Sequence, residues 1–237
     1  MKKTVQGIFF LLLAGLTAAA ADLPVKAVLF PFRESVISAR IDSVLQPCRV
    51  RIGEKFAAGT VLATLDDARS TNEVNRATGQ YEFAKASYED KKALRAKNFT
   101  SDYELKKAEF DYRTAQTALE DAKLNLSFCT IRAPFAGKVV EILTREYETT
   151  RPGQPLFRII DDNTLLAVLN VPLNSPYTRT GTPVTLKLDN GATAAGKVYE
   201  VTPQADHRTG TVRIRVLIDN AEGRFFAGMT GELIHGK

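Results

Sequence analysis

The sequence predicts a mixed, mainly-β fold with an α-helical insertion, and three observations support this prediction. Two segments of about 30 residues share a pattern of alternating apolar residues with a glycine turn. The residues between them, 68–127, have the composition of helices. The last third of the chain consists of short alternating segments separated by Gly, Pro and Asn turns, as is typical of antiparallel strands.

The two similar segments, 37–67 and 131–161, align when the chain is shifted against itself by 94 residues. The matched pairs are Ile37 with Ile131, Ala39 with Ala133, Leu45 with Val139, Gly59 with Gly153, Leu62 with Leu156, Leu65 with Ile159, and Asp67 with Asp161. Each segment predicts strand, turn and strand, and neither is long enough to bury a core alone. We therefore expect the two halves to pack together as one small β-sandwich. The alternative is two unrelated hairpins of similar composition.

The insertion, residues 68–127, contains no proline and one glycine. Its apolar residues recur at alternating spacings of three and four. They are Val74, Ala77, Tyr81, Ala84 and Tyr88 in the first half, and Leu105, Ala108, Tyr112, Ala115, Leu119, Ala122 and Leu126 in the second. These heptads predict two helices packed as an antiparallel coiled-coil hairpin, a rod of roughly 37 Å. Ser101 and Glu104 form a capping-box pattern, which places the start of the second helix near Asp102.

The N-terminal residues 1–21 have the features of a secretory signal peptide. Lys2 and Lys3 precede a short apolar run and several small residues, which predicts cleavage after Ala20 or Ala21. An uncleaved membrane anchor is the alternative. Without the two lysines the formal net charge falls from +5 to +3, and charges of both signs are mixed throughout the insertion. Binding to nucleic acid is therefore not predicted.

The residues that could carry chemistry are few. Cys48 and Cys129 could form a disulfide in an oxidising compartment, or they could be two small core residues. His207 and His235 have no Cys or carboxylate nearby at metal-ligand spacing. His207 is expected in a turn between strands and His235 in the C-terminal tail. We expect no catalytic constellation, no cofactor and no metal site, so the chain is not expected to be an enzyme.

Two motifs and their order along the chain resemble a known family. The segment "IRAPFAG" at 131–137 follows a helix ending in "ALEDAKLNLS", and "FFAGMTGEL" lies at 225–233. The chain resembles the periplasmic adaptor, or membrane fusion, family of tripartite efflux and secretion systems, including its HlyD-like and RND-type members. This resemblance covers nearly the whole mature chain.

The resemblance implies a split lipoyl-like β-sandwich, interrupted by an antiparallel α-helical coiled-coil hairpin and followed by a β-barrel domain. The implied division of the chain is 1–21 signal peptide, 22–36 first barrel strand region, 37–67 first lipoyl-like half, 68–127 helical hairpin, 128–162 second lipoyl-like half, and 163–237 β-barrel domain.

The resemblance also implies a function by assembly. The chain would be a periplasmic subunit, associated with the inner membrane through its partner. It would bridge an inner-membrane transporter of the RND type to an outer-membrane channel protein. Several copies would form a homo-oligomer in the assembled pump, and no cofactor is implied.

The hairpin tip is the expected partner-binding site. In pump-linked members of the family the tip carries an Arg, then a Leu four residues on and a Ser seven beyond that. Leu94 and Ser101 stand at these spacings, whereas the Arg position holds Asp90. Phe99 is the only aromatic residue of the turn, and the apolar seam is expected to end before the tip. We expect Leu94, Phe99 and Ser101 to contact a partner. The alternatives are that Ser101 only caps the helix and that Leu94 and Phe99 only cover each other.

Two other function classes remain as alternatives. A lipoyl or biotin carrier would need a modified lysine on the hairpin between the two halves, and the segment there, "TLDDARS", has none. A structural coiled-coil envelope protein would leave the predicted sandwich and barrel without a role.

The signal peptide gives the first testable prediction. Export should remove the first 20 or 21 residues, because the apolar run is shorter than a membrane-spanning helix and ends in small residues. Mass spectrometry of the protein extracted from the cell envelope will measure this loss. Mature protein that still begins at Met1 would instead indicate an uncleaved anchor.

Overall fold

A computed structural model describes residues 24–234, so the predicted signal peptide, residues 1–21, and His235 lie outside the described residues. In chain order the elements are β1 Lys26–Ser38, β2 Ser43–Val44, β3 Lys55–Phe56, β4 Val61–Thr64, α1 Ala68–Ala96, α2 Asp102–Ser127, β5 Thr130–Arg132, β6 Gly137–Ile142, β7 Thr149–Thr150, β8 Pro155–Pro172, a 3-10 turn Pro176–Thr178, β9 Pro183–Leu188, β10 Thr193–Asp206, β11 Thr211–Asp219 and β12 Thr230–Ile234. The protein is therefore mainly β with two helices, as expected. Within 24–234, neither helix is long and apolar enough to cross a membrane.

Six antiparallel strands form a closed ring. Their order is β1, β12, β9, β10, β11 and β8, and β8 pairs back with β1. Alternate residues of these strands point inward, so that Leu29, Leu165, Leu169, Leu186 and Ile214 are fully buried in the first hydrophobic core. The short alternating segments predicted near the C-terminus are the strands β8 to β12 of this ring.

A second hydrophobic core lies beside the first and contains the two repeated segments. Ala39, Leu45, Leu62 and Leu65 from the first segment are buried in it. Their predicted equivalents from the second segment are buried in the same core: Ala133, Val139, Leu156 and Ile159. The sequence therefore identified correctly which residues are interior.

The 94-residue repeat is also present in the hydrogen bonds of this core. The Gly59 N–H donates to the Ala133 carbonyl at 2.8 Å, and the Gly153 N–H donates to the Ala39 carbonyl at 2.8 Å. Each alanine in return donates to the carbonyl of the residue after the other segment's glycine, at 2.9 Å. Both glycines have positive φ, 80° and 86°, which glycine adopts without strain. The two segments thus exchange equivalent bonds and fold as one unit.

The long strands β1 and β8 pass through both cores. They pair from Ala27 opposite Leu169 to Ser38 opposite Pro155, with a shift in register between Pro31 and Arg33. Both strands continue without a break through positions 36 and 162, where the sequence analysis divided the chain. The division into domains at these points therefore stays a proposal.

Helices α1 and α2 lie side by side and antiparallel. Arg95 contacts Asp102 near one end, Tyr88 stacks on Tyr112 further along, and Ser70 lies close to Cys129 at the base. Every predicted seam residue is buried or half-buried, and a small core of Ala77, Leu119 and Ala122 forms between the helices. The 3–4 spacing thus identified correctly which side of each helix faces the other.

The two cysteines are free, which corrects the expectation of a possible disulfide. The Cys129 sulfur is buried beside the Ser70 hydroxyl, and Cys48 is half-buried with its N–H donating to Glu146. Burial, followed by the charge of Glu146, raises the pKa of the Cys48 thiol. A thiol with a raised pKa holds less of the reactive thiolate at neutral pH. The structure favours the other reading, two small residues of the second core.

The separation of the three cores gives a prediction about removal of the helices. Replacing residues 70–125 with a short Gly/Ser turn should leave cooperative unfolding with β-type circular dichroism, because the core between the helices is separate from the other two. Leu126, which packs on the second core, is retained. Thermal and denaturant unfolding of the shortened and full chains will be compared. A broad, non-cooperative transition in the shortened chain would mean that the strands need the helices.

Candidate functional site: the hairpin tip

The first helix ends at the tip in a fixed backbone turn. The Phe99 N–H donates to the Leu94 carbonyl at 2.9 Å, and the Asn98 N–H donates to the Arg95 carbonyl at 2.9 Å. Asn98 has a φ of 61°, in the left-handed region. These bonds form the Schellman motif, which satisfies carbonyl groups that the end of a helix leaves free. Asparagine is among the few residues that adopt this φ with little strain.

The second helix begins with a side-chain cap. The Ser101 hydroxyl accepts a hydrogen bond from the Glu104 N–H at 3.1 Å, so the serine half of the predicted capping box is present and α2 starts at Asp102 as expected. The Glu104 carboxylate lies 3.6 Å from the Lys91 ammonium on the other helix. Ser101 therefore has a structural role as the cap of α2.

Two ion pairs join the helices just below the turn. The Arg95 guanidinium donates to Asp102 at 2.5 Å and to the Asn98 side chain at 3.2 Å. The hydrogen bond from Arg95, and secondly its charge, hold the pKa of Asp102 below its ordinary value. Lys91 and Glu104 form a second, longer ion pair at 3.6 Å. Both cations are about one-third exposed and lie where the seam spacing would place apolar residues.

The apolar part of the seam thus ends before the tip, as expected, and the contact between the helices goes on through charged residues. Lys91 and Arg95 continue the seam, with acidic partners from α2 in place of apolar ones. A helix-to-helix ion pair at this position fixes the register of the two helices, as charged residues beside coiled-coil seams do. Sequence spacing shows the two basic residues but not their partners, because the partners depend on the register of the hairpin.

Leu94 and Phe99 are the apolar side chains at the tip. Phe99 is 74% exposed and Leu94 is 41% exposed, so neither is buried by the other. A hydrophobic contact between these two positions often accompanies the Schellman motif. Here any such contact leaves most of the Phe99 ring in water. The tip therefore presents one large apolar side chain on a backbone held by hydrogen bonds from both helices.

A cluster of three tyrosines stiffens the rod below the tip. The rings of Tyr88 and Tyr112 are stacked at 5.6 Å with 5° between their planes, and Tyr81 packs on Tyr112 at the same centroid distance. Such aromatic pairs contribute about 0.5–1.5 kcal/mol beyond the area that they bury. The register set by the ion pairs at the tip thus continues along the helices.

The other sequence-predicted positions lie elsewhere. His207 lies in the turn between β10 and β11, as expected. Within residues 24–234, no group of three or more His, Cys, Asp and Glu side chains lies close enough to hold a metal ion. The arrangement at the tip suits contact with another molecule through an exposed apolar anchor surrounded by paired charges.

Sequence comparison finds one matching family model and several similar bacterial proteins. Residues 173–236 match the family model "CusB-like, beta-barrel domain". The nodulation protein NolF of Rhizobium meliloti is 26% identical over 227 residues, which cover 89% of this chain and 62% of NolF. The multidrug resistance protein MdtN of Escherichia coli K12 is 33% identical over 99 residues, 38% of this chain and 29% of MdtN. The chain thus spans less than two thirds of the length of either relative.

Solved structures share the fold at low sequence identity. A MacA–MexA chimeric protein containing the α-hairpin domain of Pseudomonas aeruginosa MexA superposes with a TM-score of 0.77 at 19% identity, over 89% of this chain and 79% of the chimera. The membrane fusion protein Spr0693 of Streptococcus pneumoniae R6 superposes with a TM-score of 0.69 at 15% identity, over 91% of this chain and all of that one. At these identities the likeness concerns the fold alone.

The ion pair at the tip predicts a pH dependence. Since the pKa of Asp102 is lowered in the folded protein, its contribution to stability is present above the unfolded value of about 3.9 and is lost as pH falls below it. Asp102→Asn should lower the melting temperature at pH 7, by no more than a few degrees for so exposed a pair. The difference from wild type should shrink between pH 5 and pH 3.

Thermal melts across this pH range will measure the effect of Asp102→Asn. Its matched control is the same substitution in an Arg95→Gln background, where it should have little further effect because the partner is gone. An equal loss of stability in both backgrounds would show that Asp102 acts without Arg95.

Proposed function

Since the chain resembles the membrane fusion proteins, also called periplasmic adaptors, over nearly all of its described residues, we propose that it is the adaptor subunit of a tripartite efflux assembly. In this proposal it lies in the periplasm and joins an inner-membrane transporter to an outer-membrane channel. It acts by assembly and not by catalysis.

One observation carries the proposal: a helical rod is inserted into a β core whose two halves remain one unit. Leu65 at the end of the first half donates to the Cys129 carbonyl at the start of the second, at 2.7 Å. The rod between them leaves the core and returns to the same place. At 1.5 Å per residue α1 and α2 reach about 40 Å, a suitable length for bridging two partners.

In finer detail, the second core is a split lipoyl-like sandwich, the rod is a coiled-coil hairpin, and the ring of six strands is a β-barrel. The barrel faces the inner-membrane transporter, and the resemblance to RND-linked adaptors supports an RND-type pump as this partner. Several copies surround one conduit. The family model over 173–236 and the fold shared with the MacA–MexA chimera support this arrangement.

The tip is proposed as the contact with the outer-membrane channel. Binding energy in protein interfaces concentrates in a few anchors, and exposed aromatic residues on rigid backbone are favoured in this role. Phe99 is such a residue, with Leu94 beside it and Ser101 at the start of the next helix. The backbone turn is already fixed, so binding would cost little ordering of the chain.

The lipoyl or biotin carrier is less well supported as an alternative. At the end of the first half, the Asp66 carboxylate accepts a hydrogen bond from the Ala68 N–H at 3.0 Å, and α1 begins there. This junction, "TLDDARS", has no lysine to which a carrier group could attach. The attachment hairpin of a carrier is replaced here by the start of the rod.

Affinity capture from crosslinked cell envelopes will test the proposal. The full-length chain carrying a C-terminal tag should bring down an inner-membrane transporter and an outer-membrane channel, identified by mass spectrometry. Capture of neither protein under conditions where the tagged chain is exported and folded would overturn the adaptor function.

Mutations at the tip predict which residues carry the channel contact. Phe99→Ser and Leu94→Asp should each reduce capture of the channel at least tenfold while capture of the transporter persists, because the barrel is unchanged. Melting temperatures should stay within a few degrees of wild type. Phe226→Ser is the matched control, since Phe226 is 71% exposed on the barrel side of the molecule and should leave channel capture intact. Melting well below wild type in both tip variants would assign these residues to hairpin packing instead.

A further inference from the structure

The outer surface of the six-stranded ring carries a groove across three neighbouring strands, β1, β8 and β11. The groove has a volume of about 710 Å³, which is within the range of sites that hold small molecules. Its side chains alternate with those of the first hydrophobic core, so that Val28 points outward between the buried residues Ala27 and Leu29. We call it the outer groove; it consists of the outward-facing residues within 26–31, 166–170 and 213–215.

One end of the outer groove is positively charged. Arg213 lies opposite Asn170 in the pairing of β11 with β8. Lys26 precedes Ala27, whose partner on β8 is Leu169, so Lys26 lies on the other side of Asn170. All three side chains are exposed, and neighbouring strands are about 4.8 Å apart. One anionic group above the Asn170 amide is therefore within reach of both long basic side chains.

These two cations have no ion-pair partner among the described residues 24–234. Glu232 on β12 lies opposite Lys26, but it also lies opposite Lys187 on β9. On the other side of Arg213, the turn at 206–208 contributes one carboxylate and one guanidinium, whose charges offset each other. This end of the groove thus keeps an excess of positive charge, which favours a negatively charged ligand.

The rest of the outer groove is apolar. Two residues along the strands Val28 lies opposite Val168, and two residues further Phe30 lies opposite Leu166. Both valines and Leu166 are half-buried and form the floor, whereas Phe30 is 48% exposed at the far end. At about 3.3 Å per residue, the four residues from the cationic end to Phe30 span about 13 Å. The floor can therefore cover one side of an alkyl chain whose charged end lies between the two cations.

The wall that β11 forms beside this floor carries little net charge. Arg215 lies opposite Val168, and its guanidinium donates to Glu200 at 2.8 Å. Its methylene stem can cover apolar surface while the charged end stays in water with its partner. The unpaired positive charge is therefore concentrated at one end of the outer groove, and the apolar surface occupies the other.

The shape of the outer groove distinguishes between classes of ligand. Along the groove β1, β8 and β11 each have a neighbouring strand on both sides, so no free edge is available for a strand of another protein. A membrane surface would be met by apolar side chains that protrude. Here three of the four apolar side chains are half-buried between exposed residues. A single small molecule fits such a recess better than either surface.

We propose that the outer groove binds a single-chain anionic amphiphile, a molecule with one alkyl chain and a carboxylate, sulfate or phosphate head group. The head group accepts hydrogen bonds from Lys26, Asn170 and Arg213, and the alkyl chain lies along the apolar floor toward Phe30. Both parts are needed, because exposed ion pairs alone contribute little and apolar contact alone selects no head group. This site goes beyond the proposed adaptor function and does not depend on it, since one copy of the chain supplies every residue.

Isothermal titration calorimetry of the purified full chain tests the site. The probe is dodecanoate and its matched control is dodecyltrimethylammonium, both below their micelle concentrations. The two compounds have the same length of alkyl chain and opposite head-group charge. Dodecanoate should bind at least tenfold more tightly, because only its head group is attracted by the two cations. Equal affinities, or no binding of dodecanoate, would overturn the proposal.

Charge reversal at the cationic end tests the position of the head group. Arg213→Glu should lower the affinity for dodecanoate at least tenfold. Lys187→Glu is the matched control, because Lys187 is exposed on the same ring but lies outside the outer groove, and the affinity should stay within threefold of wild type. Thermal melts will confirm that both variants are folded. An equal loss of affinity in both would mean that only the overall charge attracts the probe, and would contradict the proposed head-group site.

Removal of the exposed aromatic ring tests the position of the alkyl chain. Phe30→Ser should weaken the binding of dodecanoate at least threefold. Phe226→Ser should leave it unchanged, since Phe226 is 71% exposed but lies outside the outer groove. Equal affinities of Phe30→Ser and wild type would show that the chain does not lie along this floor.

Co-sedimentation with phosphatidylglycerol vesicles separates a single bound molecule from a membrane surface. Arg213→Glu should have the same vesicle binding as Lys187→Glu, because the groove takes up single molecules and not a bilayer. A loss of vesicle binding in Arg213→Glu alone, in a protein that does not bind monomeric dodecanoate, would assign the groove to a membrane surface and overturn the proposal.

Discussion

The pairing of β1 with β8 is the interaction on which the rest of the structure depends. One end of this pair supplies Ala27 and Leu169 to the core of the barrel-like ring. The other end supplies Phe157 of β8 to the second core. It joins residues more than 100 positions apart in the chain, and the whole helical insertion lies between its two strands in the sequence. The ring closes through this pair, and the second core is built on its continuation.

Buried polar contacts hold the junction between the two cores and disfavour other packing arrangements there. The buried Asp162 carboxylate accepts a hydrogen bond from the Lys138 ammonium at 2.6 Å, which links β8 to β6. Asn220 is buried beside it and donates to the carbonyls of Asp162 and Phe225. A buried charge or amide is costly unless it is paired, so these groups disfavour other arrangements of the junction. Gly137 contributes as well, because a side chain there would overlap the Ile160 carbonyl.

The sequence predicted much of this fold, because most of its elements follow local rules. Alternation identified the strands, the 3–4 spacing identified the inner sides of the helices, and the 94-residue offset paired Gly59 with Gly153 before any hydrogen bond was known. The pairing of β1 with β8, which closes the ring, could not be predicted in this way. Alternation indicates which residues face inward but not which strands are neighbours. The long strands also cross the positions where the sequence suggested domain boundaries.

The candidate site was predicted in part. Ser101 could be placed at the helix start from the capping pattern alone, and Leu94 and Phe99 could be placed at the tip. The role of Lys91 and Arg95 could not be predicted. Basic residues at seam positions indicate that the seam has ended, unless the register of the two helices is known and shows acidic residues opposite them.

The attachment of the rod makes it a lever. Helix α1 begins and helix α2 ends beside the narrow pair of strands β4 and β5, where the Leu65 N–H donates to the Cys129 carbonyl, and the rod extends about 40 Å from there. A tilt of about 10° at this base displaces the tip sideways by roughly 7 Å, more than the width of one aromatic ring. A small change in the packing of the second core therefore produces a larger displacement of Phe99. The stiffness of the strand pair at the base limits how precisely the position of the tip is defined.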